Sequence, residues 1–447
     1  MPTDTTAMLA RYLYLMTLAV ATSSASAQSF SASVDGDIQH SVAPGAFTDT
    51  RTNAPLTLDD VLGLAAQSNP AFRGARADAD ASTGTWIQAG ARPNPEVSFL
   101  QEGSGNTERS TTALLNQTIE LGGKRRARLD VASYGREVAL ATLDGRAAAL
   151  RSQVITAFYG LLAAQRQLQV AEETAAIAAR SADLADKRAR AGKVSPVEAT
   201  KAKVAASGAQ IELANAKTDV ATATEKLATV TGDPAMREHP VSGDLDSIPT
   251  VEPLSQLLPR LENAPLSRAS KAEMLRSSAA ISVERAKRIP DVTVSAGMKH
   301  IVTGGTPFNQ AVIGVSIPLP IFDTNKGALL EAVHRAEKAS ADFDAEKATL
   351  QLELTQAYAR YQTAKYEAER LKSEVLPSAR EALDAMSRGY ELGKFAFLDV
   401  LDAQRTLSQE QARYVRALTD AYVSYADLGR LIGTPLPSVT SPFTPQP

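Results

Sequence analysis

Two periodicities alternate along this chain, and each appears twice. In "EVSFLQEG", "TTALLNQTIEL", "DVTVSAGMKH" and "QAVIGVSIPLP" apolar and polar residues alternate with period two. One side carries Val97 and Phe99, then Ala113, Leu115 and Ile119, then Val292, Val294, Ala296 and Met298, then Ala311, Ile313 and Val315. The other side carries Glu96, Ser98, Asn116, Thr118, Asp291, Thr293, Ser295 and Ser316. This alternation predicts four strands with one apolar and one polar face, about 95–121 and 291–320. The polar stretches "SGNTERS" and "IVTGGTPFN" read as loops between the strands of each pair. The second periodicity fills Lys124–Ala191 and Lys326–Leu392, of 68 and 67 residues, in which Pro377 is the only proline. Their apolar positions are largely alanine with scattered Leu, Val and Tyr. Such runs predict helices of roughly 100 Å if continuous, the geometry of a coiled coil or tube.

These elements recur in the same order because the chain is written twice. Pro70 and Pro265 lie 195 residues apart, as do Pro95 and Pro290; Gly192 and Gly393 lie 201 apart, as do Gly232 and Gly433. Each copy opens with an interrupted helical segment, passes through two strands, runs down a long helix, turns at a glycine and returns. The copies span 56–232 and 254–433, with long helical hairpins 124–231 and 326–432. The Pro- and Gly-rich stretch 233–253 links them, and 434–447 forms a tail.

Strands of about ten residues with one apolar face are the pattern of an outer-membrane β-barrel, the alternative being a small soluble sheet. Four strands cannot enclose an aqueous lumen, since eight only just enclose side chains. The membrane reading therefore requires an oligomer, and a trimer supplies twelve strands. The fold class expected is mainly α with a membrane β-barrel.

Composition narrows the chemistry. The 447 residues are 44% hydrophobic and 5% aromatic, with a net charge of −3, which leaves no basic footprint for nucleic acid. With no cysteine, thiolate metal ligands, disulfides and an acylated N-terminal cysteine are excluded. His40, His239, His300 and His334 are scattered, so no metal site, cofactor or enzyme is expected. "GGKR" at Gly122–Arg125 is not a phosphate loop, because Thr118 and Arg125 replace the required Gly and Ser/Thr. It reads as a turn at the membrane base with basic residues facing headgroups or solvent. Arg11, the short apolar run "YLYLMTLAVA" and Ala25-Ser26-Ala27 predict a signal peptide over 1–27, followed by an irregular segment 28–55. No other apolar run of membrane-spanning length is apparent.

The two glycine turns differ in the residues that come after them. Beyond Gly192, Ser195-Pro196-Val197-Glu198 reads as a capping box, which gives Glu198 a structural role. Beyond Gly393, Ala396 stands where Ser195 does, so Asp399 is expected to have no capping partner. Asp399 and Asp402 lie one helical turn apart on one face. They read either as favourable charges at a helix N-terminus or, in a trimer, as two stacked carboxylate rings on the axis. The matching first-copy positions, Glu198 and Lys201, cannot form such a double ring. Pro377 permits a kink and marks the second long helix as the hinged one.

The duplicated halves, the turn "NQTIELGGKRRARL" and the tip "YELGKFAFLDVLDAQRTL" resemble the TolC-type outer-membrane efflux proteins over Leu56–Gly433. The "TIELGGKRRARL" turn is most similar to the CzcC-like channel subunits of heavy-metal efflux systems. The resemblance implies a homotrimer with a twelve-stranded barrel in outer-membrane lipid above a periplasmic α-helical tunnel. It implies docking onto a periplasmic membrane-fusion adaptor and an inner-membrane pump of the RND type, at tips that here comprise Gly192, Lys193, Gly393 and Lys394. It places Asp399 and Asp402 at the positions of gate aspartates and Tyr390 at that of a gate tyrosine. Phe395 stands where some relatives carry a gate arginine, which puts a latch through that position in doubt. Many relatives carry a lipidated cysteine that this chain lacks, so the barrel alone is expected to anchor it. The function expected is an exit duct for divalent heavy-metal cations; ducts for organic compounds or type I protein secretion are alternatives. A periplasmic coiled-coil adaptor is an alternative of another class.

Overall fold

The computed structural model describes residues 55–436 apart from 104, 106 and 107. The expected signal peptide 1–27, residues 28–54 and tail residues 437–447 lie outside the described residues. Two helices open the first half, α1 (Leu58–Ser68) and α2 (Pro70–Gly90). Asn69 separates them: its Oδ1 accepts from the Phe72 N–H, and Pro70 takes the first helical position, where no N–H is needed. Strands β1 (Glu96–Glu102) and β2 (Glu108–Ile119) follow, then α3 (Lys124–Arg190) and α4 (Pro196–Thr231). The second half repeats the order with α5 (Pro265–Lys287), β3 (Val292–Thr303), β4 (Thr306–Ser316), α6 (Lys326–Arg370), α7 (Leu376–Glu391) and α8 (Phe397–Ile432).

The four strands form one antiparallel sheet in sequence order. Pairing Val97 with Leu115, Leu115 with Ala296 and Ala296 with Ile313 gathers the expected apolar residues on one face. That face is exposed: Phe99 is 73% accessible and Ile313 82%. On the other face Asn116 bridges the halves, donating to Ser98 Oγ at 3.0 Å and accepting from Ser295 Oγ at 2.7 Å. A sheet that hydrogen-bonds its polar face and bares its apolar one is built to stand in lipid. The loop expected at "IVTGGTPFN" is only a two-residue turn. Gly304 and Gly305 adopt positive φ, the hairpin geometry whose twist matches the flanking strands, so pairing continues to Thr303 and Thr306. The last strand ends at Ser316 rather than near 320, because Pro318 and Pro320 have no N–H for the ladder.

Below the sheet, α3 runs unbroken for 67 residues. Its buried alanines Ala171, Ala178 and Ala185 lie seven apart, interleaved with Ala175 and Ala182. A strict heptad of small residues lets helices approach closely and coil left-handed. Against the sequence-based expectation, one stretch of α3 is apolar enough to cross a bilayer by length and composition. It is 56% buried, against the chain's own helices. The helices lie side by side in the order α6 and α7, then α8, α3 and α4, a layer with two free edges like the sheet above it. The linker 233–253 is pinned to this layer. Tyr422 donates to Ser247 O at 2.6 Å, and Asp246 accepts from Tyr414 at 2.7 Å and Arg166 at 2.8 Å.

At the base of the sheet both long helices start from a left-handed residue, Gly123 in one half and Asn325 in the other. Asn325 is the only described non-glycine with positive φ, and its side-chain amide donates to Glu284 O at 2.8 Å. The basic residues expected to face headgroups or solvent are partly engaged inside the chain. Lys124 pairs with Asp291 of the second half at 2.7 Å, Arg128 pairs with Glu120, and Arg125 donates to Gly90 O at 2.6 Å. The basic turn thus clamps the two halves beneath the strands.

Candidate functional site at the hairpin tips

Both hairpins turn by the same backbone device. Gly192 and Gly393 have φ of 68° and 72°, a region that disfavours any side chain with a Cβ. The residue after each closes a six-residue ring, Lys193 N–H to Arg188 O at 2.9 Å and Lys394 N–H to Gly389 O at 2.8 Å. The open space around both glycines and the exposure of Lys193 and Lys394 leave the turns accessible.

The tips are joined by a small apolar cluster that includes Ala185, Ala199, Ala202, Leu383, Phe397 and Val400. Tyr390 is its polar member and is 6% exposed. Its hydroxyl donates to Glu198 Oε1 at 3.1 Å, its ring meets Phe397 at 5.6 Å, and the Arg188 guanidinium lies 4.5 Å above the ring. Arg188 also donates to the last carbonyls of α7, Tyr390 O at 3.1 Å and Glu391 O at 3.0 Å. A cation on the C-terminal carbonyls of a neighbouring helix satisfies orphan acceptors and the helix dipole together. Burial pushes the Tyr390 hydroxyl pKa up, so it remains a proton donor to Glu198 near neutral pH.

These contacts reverse the capping roles expected from sequence. Glu198 does not complete a capping box: Ser195 Oγ accepts from Val197 N–H at 3.3 Å, and the Glu198 carboxylate reaches across to Tyr390. Asp399 does cap, its Oδ2 accepting from the Ala396 N–H at 2.9 Å. The physical reason is that a carboxylate three residues inside a helix reaches back to the N-cap N–H whatever the N-cap side chain is. Asp399 and Asp402 are both exposed at the start of α8, whereas Tyr390 is buried between the hairpins. The three expected gate residues therefore have different surroundings within one chain. Sequence reasoning missed Arg188 and Gly389. A Cβ on Gly389 would collide with the Phe395 ring, so this glycine makes the seat for that side chain. The available signal for Arg188 was a basic residue in the last helical turn.

Above the second tip the long helix is not continuous. A π-helical turn, Leu371–Val375, separates α6 from α7 directly before Pro377. Proline lacks the N–H for the usual bond to residue 373, and the wider turn absorbs the mismatch. Ser373 and Ser378 add hydroxyl bonds of 2.8 and 2.9 Å to the carbonyls of Glu369 and Glu374. Among the described residues no group of three or more His, Cys, Asp or Glu side chains is placed to hold a metal ion.

The fold and both halves have known counterparts. The family model described as "Outer membrane efflux protein" matches residues 61–233 and 259–434, one match per copy. The chain is 42% identical to the cobalt-zinc-cadmium resistance protein CzcC of Cupriavidus metallidurans over 85% of its own length and 90% of that protein. It is 33% identical to the nickel and cobalt resistance protein CnrC of the same organism, over 65% of this chain and 69% of that one. In structure it matches the outer-membrane channel OprN with a TM-score of 0.73 at 20% identity, covering 84% and 89% of the two chains. It matches CusC with a TM-score of 0.73 at 19% identity, over 84% and 91%. With duplicated halves, a lipid-facing sheet and paired helical hairpins all accounted for, the chain belongs to the outer membrane efflux protein family.

Proposed function

We propose that three copies close into a twelve-stranded barrel and a helical tunnel, forming the exit duct of a tripartite exporter of divalent metal cations. The observation that carries the duct is the open sheet with an exposed apolar face, above a helix layer that also has two free edges. Neither layer can pair its edges within one chain, and joining copies edge to edge satisfies both. The cation class is supported by the similarity to proteins named for resistance to cobalt, zinc, cadmium and nickel. In this reading Asp399 and Asp402 line the periplasmic entrance as stacked acidic rings, which favour cations. Tyr390 holds the second hairpin against the first, and Pro377 with its π-turn is the hinge. Gly192, Lys193, Gly393 and Lys394 present the surface that a periplasmic adaptor engages, with an inner-membrane pump beyond it. Export follows cleavage before Gln28, and the barrel anchors the protein without a lipid.

Deleting the gene is expected to sensitise cells to one or more of these cations, with resistance restored by the intact chain. Detergent-extracted protein is expected to sediment at about three times the chain mass, as a twelve-stranded assembly of four-stranded chains requires. A water-soluble monomer would sink the duct, while unchanged metal tolerance with an intact trimer would sink only the choice of cargo.

A further inference from the structure

A recess of about 190 Å³ lies far along the chain from either tip, where the linker, α3 and the end of α8 meet. Three arginines, Arg151, Arg260 and Arg430, and one acidic residue, Glu252, are among the residues that line it. Glu252 is taken by Arg260 at 3.3 Å. Arg430 is shared loosely between Asp427 at 3.6 Å and Glu353 at 3.8 Å. Arg151 has neither an ion pair nor a hydrogen bond among the described residues, and its Nη1 is buried. Among the described residues the other such buried atom is Glu410 Oε2, but Arg413 stands 4.0 Å from it. Arg151, itself only part-buried, thus holds a buried cationic nitrogen to which the described residues supply no partner.

A guanidinium with a buried, unbonded N–H is costly unless an acceptor fills the place, and a charged acceptor fills it best. The planar fork of arginine matches the paired oxygens of phosphate or carboxylate. Ser152 and Tyr425 add hydroxyl donors to the same wall. The volume is several times the roughly 30 Å³ that a water molecule occupies in the liquid and well below the 300 Å³ and more of drug-sized sites. We infer that this recess binds a small oxyanion of the phosphate or carboxylate class, held by Arg151 with Arg260 and Arg430. The bound anion ties the linker between the two halves to α3 and α8. It is a site for neither cargo nor gating, and it stands whether or not the exported species is a metal.

The test uses the full chain in detergent, titrated with sodium phosphate and, separately, with sodium chloride at matched ionic strength. Phosphate is expected to raise the thermal midpoint by at least about 2 °C at saturation, because it binds only the folded state. Chloride is expected to leave the midpoint unchanged, and the phosphorus resonance of phosphate is expected to broaden on adding protein. Arg151→Met should abolish both effects, Arg260→Met should weaken them, and Arg405→Met, an exposed position on α8, should leave them intact. Citrate competing with phosphate places the site in the wider oxyanion class. Equal responses to chloride, or a full phosphate response in Arg151→Met, would overturn the inference. If Arg151→Met does not fold, the resonance of phosphate with the unaltered protein and with Arg260→Met decides: no broadening, or equal broadening in both, means that water or another copy of the chain satisfies Arg151.

Discussion

The two hairpin tips share a backbone and differ in almost everything attached to it. Each turns at a left-handed glycine and closes the same six-residue ring, yet only the first follows an uninterrupted long helix and carries a hydroxyl N-cap, Ser195. The second follows a π-turn and a proline, seats Phe395 against Gly389, and exposes Asp399 and Asp402. The difference teaches how a duplicated chain divides labour. Turn geometry depends on a few glycines and survives side-chain change, so the copies could diverge freely in charge and stiffness. In the proposed gating the first tip is the fixed member: its Arg188 and Glu198 grip Tyr390, the last buried residue of α7.

The largest effect is expected from breaking the shared turn. A β-branched residue at φ near 70° costs on the order of 1–3 kcal/mol and distorts the exposed tip. Gly192→Val and Gly393→Val are each expected to abolish metal resistance while trimers still reach the outer membrane, measured by growth on metal and by membrane fractionation. Full resistance in both would place the adaptor surface elsewhere.

The next effect sharpens the division between fixed and moving tips. Arg188→Ala removes two charged hydrogen bonds and the ring contact, a loss of about 2–3 kcal/mol, and should raise the open probability of single channels in planar bilayers. Tyr390→Phe removes only the bond to Glu198, about 1 kcal/mol, and should do the same more weakly. Glu198→Ala is expected to match Tyr390→Phe, since the two share one bond. If the three channels open no more often than the unaltered one, the contact is structural packing alone.

The smallest effect isolates the acidic pair. Asp402→Asn leaves the cap at Asp399 intact, and is expected to halve or better the affinity of divalent-cation block applied from the periplasmic side. Asp399→Asn should add to it at a cost of about 0.3–1 kcal/mol in helix-start stability. Block and selectivity unchanged in the double variant would reduce both residues to helix-start charges.

The strands were legible in sequence because a period of two has only one reading on a half-exposed sheet, and the long helices because alanine-rich heptads run on with no proline but Pro377. Where strands ended was legible less well. Gly304-Gly305 reads as part of a long loop in sequence, and only the register shows the ladder running up to it. Among the tip residues, the glycines announced themselves through a spacing repeated in both copies. Arg188 and Glu198 did not, since their partners lie 202 and 192 residues away in the chain.

The sequence by itself determined the duplication, the two-faced strands, the helix lengths and the turns, all of which rest on local periodicity and backbone preference. Only the tertiary structure decided which carboxylate caps and which one reaches across, that Lys124 clamps the halves together, and that Arg151 keeps a buried Nη1 without a partner among the described residues. Hydrogen bonds and ion pairs fall off within a few ångströms, so side-chain roles follow spatial neighbours, and packing two copies of one pattern against each other selects those neighbours.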